Sequence, residues 1–486
     1  MKRTHDFAGM LLACSLLLAT HIQAQSGTDA ATLKQRVLTS VDKDRDQYQK
    51  IALQIWDYAE VGFKEYKSSA LLQKTLQQNG FRIDTGVAEI PTAFVATYGQ
   101  GSPVIGILAE FDALPGLAQD TVADKKILPG KGAGHGCGHH LLGTAALEAA
   151  IYIKKMLEQK VLSGTVKLYG TPAEEGGSGK VYMVRAGLFK GVDAVIHWHP
   201  GSENAVMDGS SLANVSAKFR FYGLSAHAAG APDKGRSALD AVESMDYMVN
   251  MMREHIPSDT RIHYVITDGG KAPNVVPDFA ESYYYVRNPS NENVQQIFER
   301  ITKAGEGAAM GTGTKMQYEI TGGTYGLLIN QTLAAAMQKN LEMAGGVEYN
   351  SKETQFAQKM QTSFAYKVPA IESVKTVAAL DPSHAINGST DVGDVSWNVP
   401  TVGMSAATWV AGTPAHSWQA VASGGTSIGI KGMQVAAKCI TLTAIDLFTD
   451  TGLRSKATGE FNRSRGNGFE YKALLGNRKP ALNYRD

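Results

Sequence analysis

Cysteine is scarce: the chain has three in 486 residues. That number excludes the disulfide framework on which small secreted folds depend. An excess of charge of one sign is also missing, since 47 basic residues stand against 46 acidic ones and leave a formal net charge of +1. Without a long-range field to gather phosphates, neither nucleic acid nor an anionic membrane is expected as a partner. Beyond the N-terminal segment no apolar run suggests a membrane span of roughly 20 residues, and no internal repeat is present. The glycine-rich stretch Gly130 to Gly138 lacks the G-K-[ST] ending of a phosphate cradle and carries metal-type side chains instead.

What is present begins with a leader pattern. Lys2 and Arg3 precede an apolar stretch from Phe7 to Leu18, and small Ala24 stands before Gln25. Residues 1–24 therefore read as a cleavable signal peptide, and the expected location is periplasmic or secreted. Leu11-Leu12-Ala13-Cys14 as a lipoprotein acylation site is the weaker reading, because the apolar run continues past Cys14. With the leader removed, only Cys137 and Cys439 remain. A thiol kept among histidines in an oxidising compartment is better explained as a metal ligand than as an inert core residue or half of a Cys137–Cys439 bridge.

The length exceeds one ordinary core, so two domains are expected. Ala31 to Gly80 reads as helix from the spacing of Leu33, Val37, Ile51, Ile55, Leu72 and Leu76. Short apolar runs at Phe94–Tyr98, Val104–Leu108, Val166–Tyr169 and Ala194–His197 then alternate with helices at Leu141–Leu157 and Val181–Ala186. Strands alternating with helices predict a mostly parallel sheet covered on both faces, with its site at the carboxyl ends of the strands. From Leu212 the pattern becomes alternating, with Val215, Ala217, Phe219 and Phe221 on one face. A helix from Ser237, its predicted cap, follows; the full order of strand, helix, strand, strand, helix, strand predicts a ferredoxin-like insert. The predicted organisation is an α/β catalytic domain in two parts, residues 25–210 and 322–450, interrupted by the insert at 211–321. Residues 451–486, rich in Arg, Asn and Gly, read as a surface tail.

The chemistry concentrates in Gly134-His135-Gly136-Cys137-Gly138-His139-His140. Up to three imidazoles and a thiol share this loop. Cys137 and His139, two apart, can face one point, and thiolate with imidazole suits zinc or a similar first-row ion better than calcium or magnesium. Adjacent Glu174 and Glu175 have diverging side chains, so one can bind metal while the other reaches water; a solvated acidic pair at a helix start is the plain alternative. His197 and His199 project to the same side of a strand that Pro200 ends, and either can ligate, with His199 favoured. His416, within Gly412-Thr413-Pro414-Ala415-His416-Ser417-Trp418, is a remote candidate.

The blocks AEFDALPG, GHGCGHHLLG, EEGGSGK, WHP, AHAAGAP, GRSALDAV, APNVVP, STDVGDVSW and GTPAHSW follow one another across nearly the whole chain. In these the chain resembles the aminoacylase and glutamate-carboxypeptidase family of dinuclear metallopeptidases. The resemblance implies a discontinuous α/β/α catalytic domain with an inserted lid and dimerisation domain. It implies two divalent ions per subunit, zinc or else manganese or cobalt, on Cys137, His139, Glu175, His199 and His416; the histidine before Pro200 is the one that aligns. Glu174 matches the general base, Asp112 the acid that orients a ligand, and His227 and Asn274 the insert residues that steady the oxyanion and the substrate carboxylate. The histidine can enter from a neighbouring subunit. His140 stands where near relatives carry asparagine, and Glu110 where distant ones carry a ligand histidine, so no ligand role is transferred to Glu110.

These roles fit together as amide hydrolysis, with metal lowering the pKa of water and Glu174 taking its proton. The resemblance implies an N-acyl or N-aroyl amino acid as substrate, p-aminobenzoyl-glutamate foremost; Arg287 and Lys271 are candidate readers of a carboxylate. A dipeptidase or another aminoacylase is the near alternative. A non-catalytic metal-binding subunit or a ligand-binding protein would have no chemical need for a base beside the ligands. A homodimer is expected, or a heteromer with a related subunit.

Overall fold

The computed structural model describes residues 29–383 and 388–486. The signal peptide and the Cys14 reading lie outside the described residues. The central sheet runs, edge to edge, Arg82–Thr85, Phe94–Gln100, Gly164–Gly170, Val104–Ala109, Ala194–Gly201, Thr401–Ala407 and Ala205–Val206. Its four inner strands from Gly164–Gly170 to Thr401–Ala407 are mutually parallel, while the outer pairings are antiparallel. The sheet is thus mixed but mostly parallel.

Why these segments are inner strands is plain from their side chains. Ile105, Ile107, Val166, Leu168, Ala194 and Ile196 are all buried, as expected of parallel strands covered on both faces. One face carries the helices Ala30–Tyr58, His139–Glu158, Gln331–Ala344 and Ser427–Thr449 around the largest core. The other is covered by Gly179–Arg185 and Val392–Ser396. Contrary to the sequence reading, Ser427–Thr449 is long and apolar enough to cross a membrane by length and composition, yet 89% of its most apolar window is buried inside the fold. It is a core helix.

The insert forms a separate antiparallel sheet in the order Arg261–Asp268, Phe279–Asn288, Ala213–Tyr222, Lys315–Thr324, with helices Ala238–Met252 and Asn291–Thr312. Phe219 anchors its core against the rings of Tyr284, Phe298 and Tyr318. Ser237 caps the first helix by accepting the Asp240 N–H.

Three further sequence readings need correction. The single helix over Ala31 to Gly80 is two, Ala30–Tyr58 and Tyr66–Gln78. Ala59 turns left-handed at φ 43°, and the Glu60 carboxylate accepts from Lys67 N and Ser68 N at 3.0 and 2.8 Å, starting the second helix on a new axis. Pro200 does not end its strand, which continues in register to Gly201 against Ala407. Residues 451–486 are no surface tail: Thr451–Arg465 is helical, and Leu474 and Leu475 are buried in the insert core and the sheet-face core.

Candidate metal centre

The carboxyl ends of the four parallel strands deliver the candidate residues to one place. Glu110 and Asp112 follow Val104–Ala109, Glu174 and Glu175 follow Gly164–Gly170, His199 lies near the end of Ala194–Gly201, and His416 comes from the loop after Thr401–Ala407. Cys137 and His139 arrive at the start of the helix His139–Glu158. Gly138 makes that entry possible: it sits at φ 75°, and a Cβ there would lie 2.6 Å from Pro200.

Two three-residue sets of potential donors emerge, Cys137 with His139 and His199, and Cys137 with Glu175 and His416. Within each, the donor atoms lie within 4.8 Å of one another. Cys137 belongs to both. A third set, Glu110, His139 and Glu174, places Glu174 beside the first.

Each donor is aimed by a neighbour. His139 Nδ1 donates to Asp112 Oδ1 at 2.9 Å, which turns Nε2 toward the donor cluster, 3.2 Å from Glu110 Oε2. The other Asp112 oxygen accepts the Glu175 N–H at 2.9 Å, so one carboxylate fixes a residue of each set. His199 donates from Nδ1 to the Pro200 carbonyl and turns Nε2 to within 3.3 Å of Cys137 Sγ. His416 takes a left-handed φ of 59°, donates its N–H to the Gly136 carbonyl, and holds Nε2 2.9 Å from Glu175 Oε1.

The donors fit a divalent cation. Glu110 Oε2, His139 Nε2 and Glu175 Oε1 are all buried yet make no well-directed hydrogen bond; Glu110 Oε2 and His139 Nε2 face each other at 3.2 Å, and Glu175 Oε1 faces His416 Nε2 at 2.9 Å. Buried polar atoms are normally hydrogen-bonded, and ligand-type atoms that crowd together without such bonds suit a shared cation. The electrostatics agree. Burial and the charge of Glu175 push the Cys137 thiol well above its usual range, whereas Cys137, Asp112 and Glu110 overcome burial to raise His139. Burial, then Glu110 and Glu175, also raise the Glu174 carboxyl well above normal. This is a pocket of crowded negative potential, the setting a cation inverts.

Several histidines do not join it. His140 donates to the Gly424 carbonyl at 3.0 Å and His135 to that of Ile55 at 3.1 Å, their rings packed 4.9 Å apart. Of the loop's imidazoles only His139 reaches a donor set. His197 lines the cavity but belongs to none of the sets; it packs on Gly403, where a Cβ would fall 2.1 Å from its Nε2. Burial holds its pKa down at about 4.

A cavity of about 600 Å³ opens over the donors, walled by Glu174, His199 and His416 on one side and by Asn214, Tyr285 and Arg287 of the insert on the other. The Arg287 guanidinium lies 5.5 Å from the Tyr285 ring centroid, and its buried Nε has no hydrogen-bond partner. Lys271 is not in this wall, being exposed and paired with Asp268. His227 and Asn274 are neighbours, the Ala228 N–H reaching the Asn274 carbonyl at 3.0 Å, but they lie outside the cavity wall of their own chain. His227 Nδ1 accepts from the N–H groups of Ala229 and Gly230, which leaves Nε2 as an outward donor.

Sequence reasoning missed Lys180. Fully buried, it bridges Glu110 Oε1 at 2.7 Å and Asp391 Oδ1 at 2.6 Å, and these carboxylates keep it charged against burial. Its position at the end of EEGGSGK was the one available sign. Glu65 was also missed; its carboxylate accepts from Ala173 N at 2.8 Å and Thr92 Oγ1 at 2.9 Å, bracing the residue before Glu174.

Comparison with known proteins places this geometry. Residues 106–402 match Peptidase family M20/M25/M40. The chain is 42% identical over 448 residues to one of the subunits of Escherichia coli p-aminobenzoyl-glutamate hydrolase, covering 87% of this chain and 93% of that one. It is 28% identical to the mouse Xaa-Arg dipeptidase over 90% of this chain and 95% of the relative. Among solved structures, the Klebsiella pneumoniae aminobenzoyl-glutamate utilization protein superposes with a TM-score of 0.59 at 19% identity, covering 86% of this chain and 99% of that one. A Bacillus subtilis dinuclear metal-binding M20 peptidase does so at 0.57 and 17%, covering 84% and 99%. At those identities the structural likeness concerns the fold.

Proposed function

The chain belongs to Peptidase family M20/M25/M40, and from that premise we propose that it cleaves p-aminobenzoyl-glutamate to p-aminobenzoate and glutamate. It is a metal-dependent hydrolase of amide bonds. The observation that carries the reading is Cys137 shared between two donor sets, with Glu174 outside both and beside the cavity. Cys137, His139 and His199 would hold one ion, and Cys137, Glu175 and His416 a second. Zinc suits this thiolate and imidazole chemistry, with manganese or cobalt as substitutes. When bound, such ions polarise the scissile carbonyl and provide a nucleophile from water near neutral pH. Glu174 takes the proton of the attacking water and passes it to the leaving nitrogen as the C–N bond breaks. Asp112 holds His139 and Glu175 in place.

The insert serves as lid and dimerisation domain in this reading. Its edge strand Arg261–Asp268 exposes Val265 and Ile266, and its helix Ala238–Met252 exposes Tyr247 and Met251. Exposed edge strands with apolar side chains invite pairing. Association there would carry His227 and Asn274 to a neighbouring cavity, where the free Nε2 of His227 steadies the oxyanion and Asn274 the carboxylate. The relative in Escherichia coli is named as one of two subunits, and the second of them also matches this chain, at 26% identity; a heteromer is the other form of the same assembly. A mixture of Glu174→Ala and His227→Ala subunits should regain activity that neither has alone, and failure of mixed dimers to recover it would remove the trans role of His227. The leader pattern adds export to the periplasm or beyond.

The direct test is release of p-aminobenzoate from p-aminobenzoyl-glutamate by the purified chain with zinc, manganese or cobalt, beside a panel of N-acyl amino acids and dipeptides. Metal-dependent release with preference for the glutamate conjugate is expected. Arg287→Ala should raise KM about 10-fold or more for acidic substrates, in keeping with loss of a charge-assisted contact, and change it little for neutral ones. Equal effects on both would take Arg287 out of substrate recognition.

A further inference from the structure

The segment after the last helix threads from the insert to the metal loop. Leu474 packs in the insert core and Leu475 in the sheet-face core. Tyr471 donates to Asp394 Oδ1 at 2.7 Å, and Tyr325 of the insert's exit donates to the Lys472 carbonyl at 2.9 Å. Arg478 donates to the Ile320 carbonyl of the insert strand Lys315–Thr324, and its own carbonyl accepts from Arg185 at 2.7 Å. Beyond it, Tyr484 Oη and Arg485 Nη2 both donate to the carbonyl of Glu175, at 2.9 and 2.6 Å. Lys64 secures Asp486 at 2.9 Å, and the Tyr484 ring meets Phe63 edge-on at 5.5 Å. The fit leaves no slack: a Cβ on Gly62 would lie 2.0 Å from the Tyr484 hydroxyl oxygen.

The loop they hold is only partly helical, with a Gly177 N–H to Ala173 carbonyl bond at 3.0 Å across it. Glu175 at φ −71°, ψ 73° and Gly176 at φ 86° are outside helical geometry, and Ala173 and Ser178 are both left-handed. The Glu175 carbonyl is therefore turned out of any helical hydrogen bond. Its N–H is fixed by Asp112 and its carbonyl by the two tail donors. With both ends of the residue pinned, the backbone from which its carboxylate reaches His416 Nε2 at 2.9 Å is held in place.

We propose that Tyr484 and Arg485 are positioning residues for Glu175, so that the chain's last segment completes the half of the metal centre formed by Glu175 and His416. The inference rests on the dinuclear metal reading above. Outer partners of metal ligands typically govern about 10- to 100-fold in affinity, and here two donors on one carbonyl replace the usual contact on the ligating side chain. Because Arg478 also grips the insert strand, the same segment ties the insert's position to that of Glu175.

The test is zinc titration of the chelator-stripped full chain against a competing chromophoric chelator, with kcat and KM measured in parallel. For Tyr484→Phe with Arg485→Met, one of two zinc ions should lose about 10- to 100-fold in affinity while the other is unchanged. Turnover should fall at limiting zinc with KM little altered, and Arg485→Lys alone should restore part of the loss. Tyr484→Phe keeps the ring on Phe63, so the zinc-free melting temperature should fall by no more than the few degrees that two lost hydrogen bonds account for. Two ions bound as in the unmodified chain, or both weakened equally, would overturn the positioning role. If the unmodified chain binds no zinc, manganese or cobalt, the metal reading fails first and takes this inference with it.

Discussion

Replacing Glu174 with alanine should leave both ions bound and lower turnover about 100- to 10,000-fold, the range that a positioned general base contributes. Both carboxylates line the cavity, where a substrate amide approaches, and the donor sets separate them. Glu175 stands in the set with Cys137 and His416, whereas Glu174 faces Glu110 and His139. Its burial beside Glu110 disfavours its charged form in the absence of a cation; a cation beside it restores the carboxylate that a base needs. Metal content measured by elemental analysis, together with release of p-aminobenzoate, decides the matter. Loss of an ion in Glu174→Ala would make Glu174 a ligand and leave the chemistry without its base.

That distinction was legible in the chain only through the family resemblance, which aligned Glu175 with a ligand and Glu174 with the base. Adjacency alone says that the two carboxylates diverge, not which of them meets His416. Residue type made Cys137, His139, His199 and His416 candidates because thiol and imidazole have few other reasons to gather at strand ends. The same logic overcounted: His135 and His140 share the loop but turn to backbone carbonyls, a choice set by how the helix His139–Glu158 packs rather than by spacing. The insert was readable because Val215, Ala217, Phe219 and Phe221 alternate and its helices carry clean apolar stripes. The break at Ala59 was not, since a left-handed alanine has no composition signal. Lys180, marked only by its place at the end of EEGGSGK, and the Tyr484–Arg485 pair were missed for a related reason. Their partners Glu110, Asp391 and the Glu175 carbonyl are distant in sequence, and polar residues in a Gly-rich or Arg-rich run look like solvated loop until the fold buries them.

Cys137→Ala should cost both ions at once and with them all metal-dependent turnover. Among the described residues no other belongs to both Cys137-containing donor sets, so its loss leaves each with two donors, His139 with His199 and Glu175 with His416. Zinc held tightly asks for about three or four. The variant should therefore resemble the chelator-stripped chain in activity and in thermal stability. An ion at roughly 100 times its dissociation constant contributes about 2.7 kcal/mol to the folded state, and the variant should no longer show the rise in melting temperature on adding zinc. Cys137→Ser, with a harder and less acidic donor, should retain at most weak binding. No disulfide is lost with it, because among the described residues the other thiol, Cys439, is free and buried in the main core on the helix Ser427–Thr449. One ion kept at full affinity in Cys137→Ala would show that the thiol serves a single site, and the two-ion reading would then have to find its bridge in Glu110 or Glu174 of the third set.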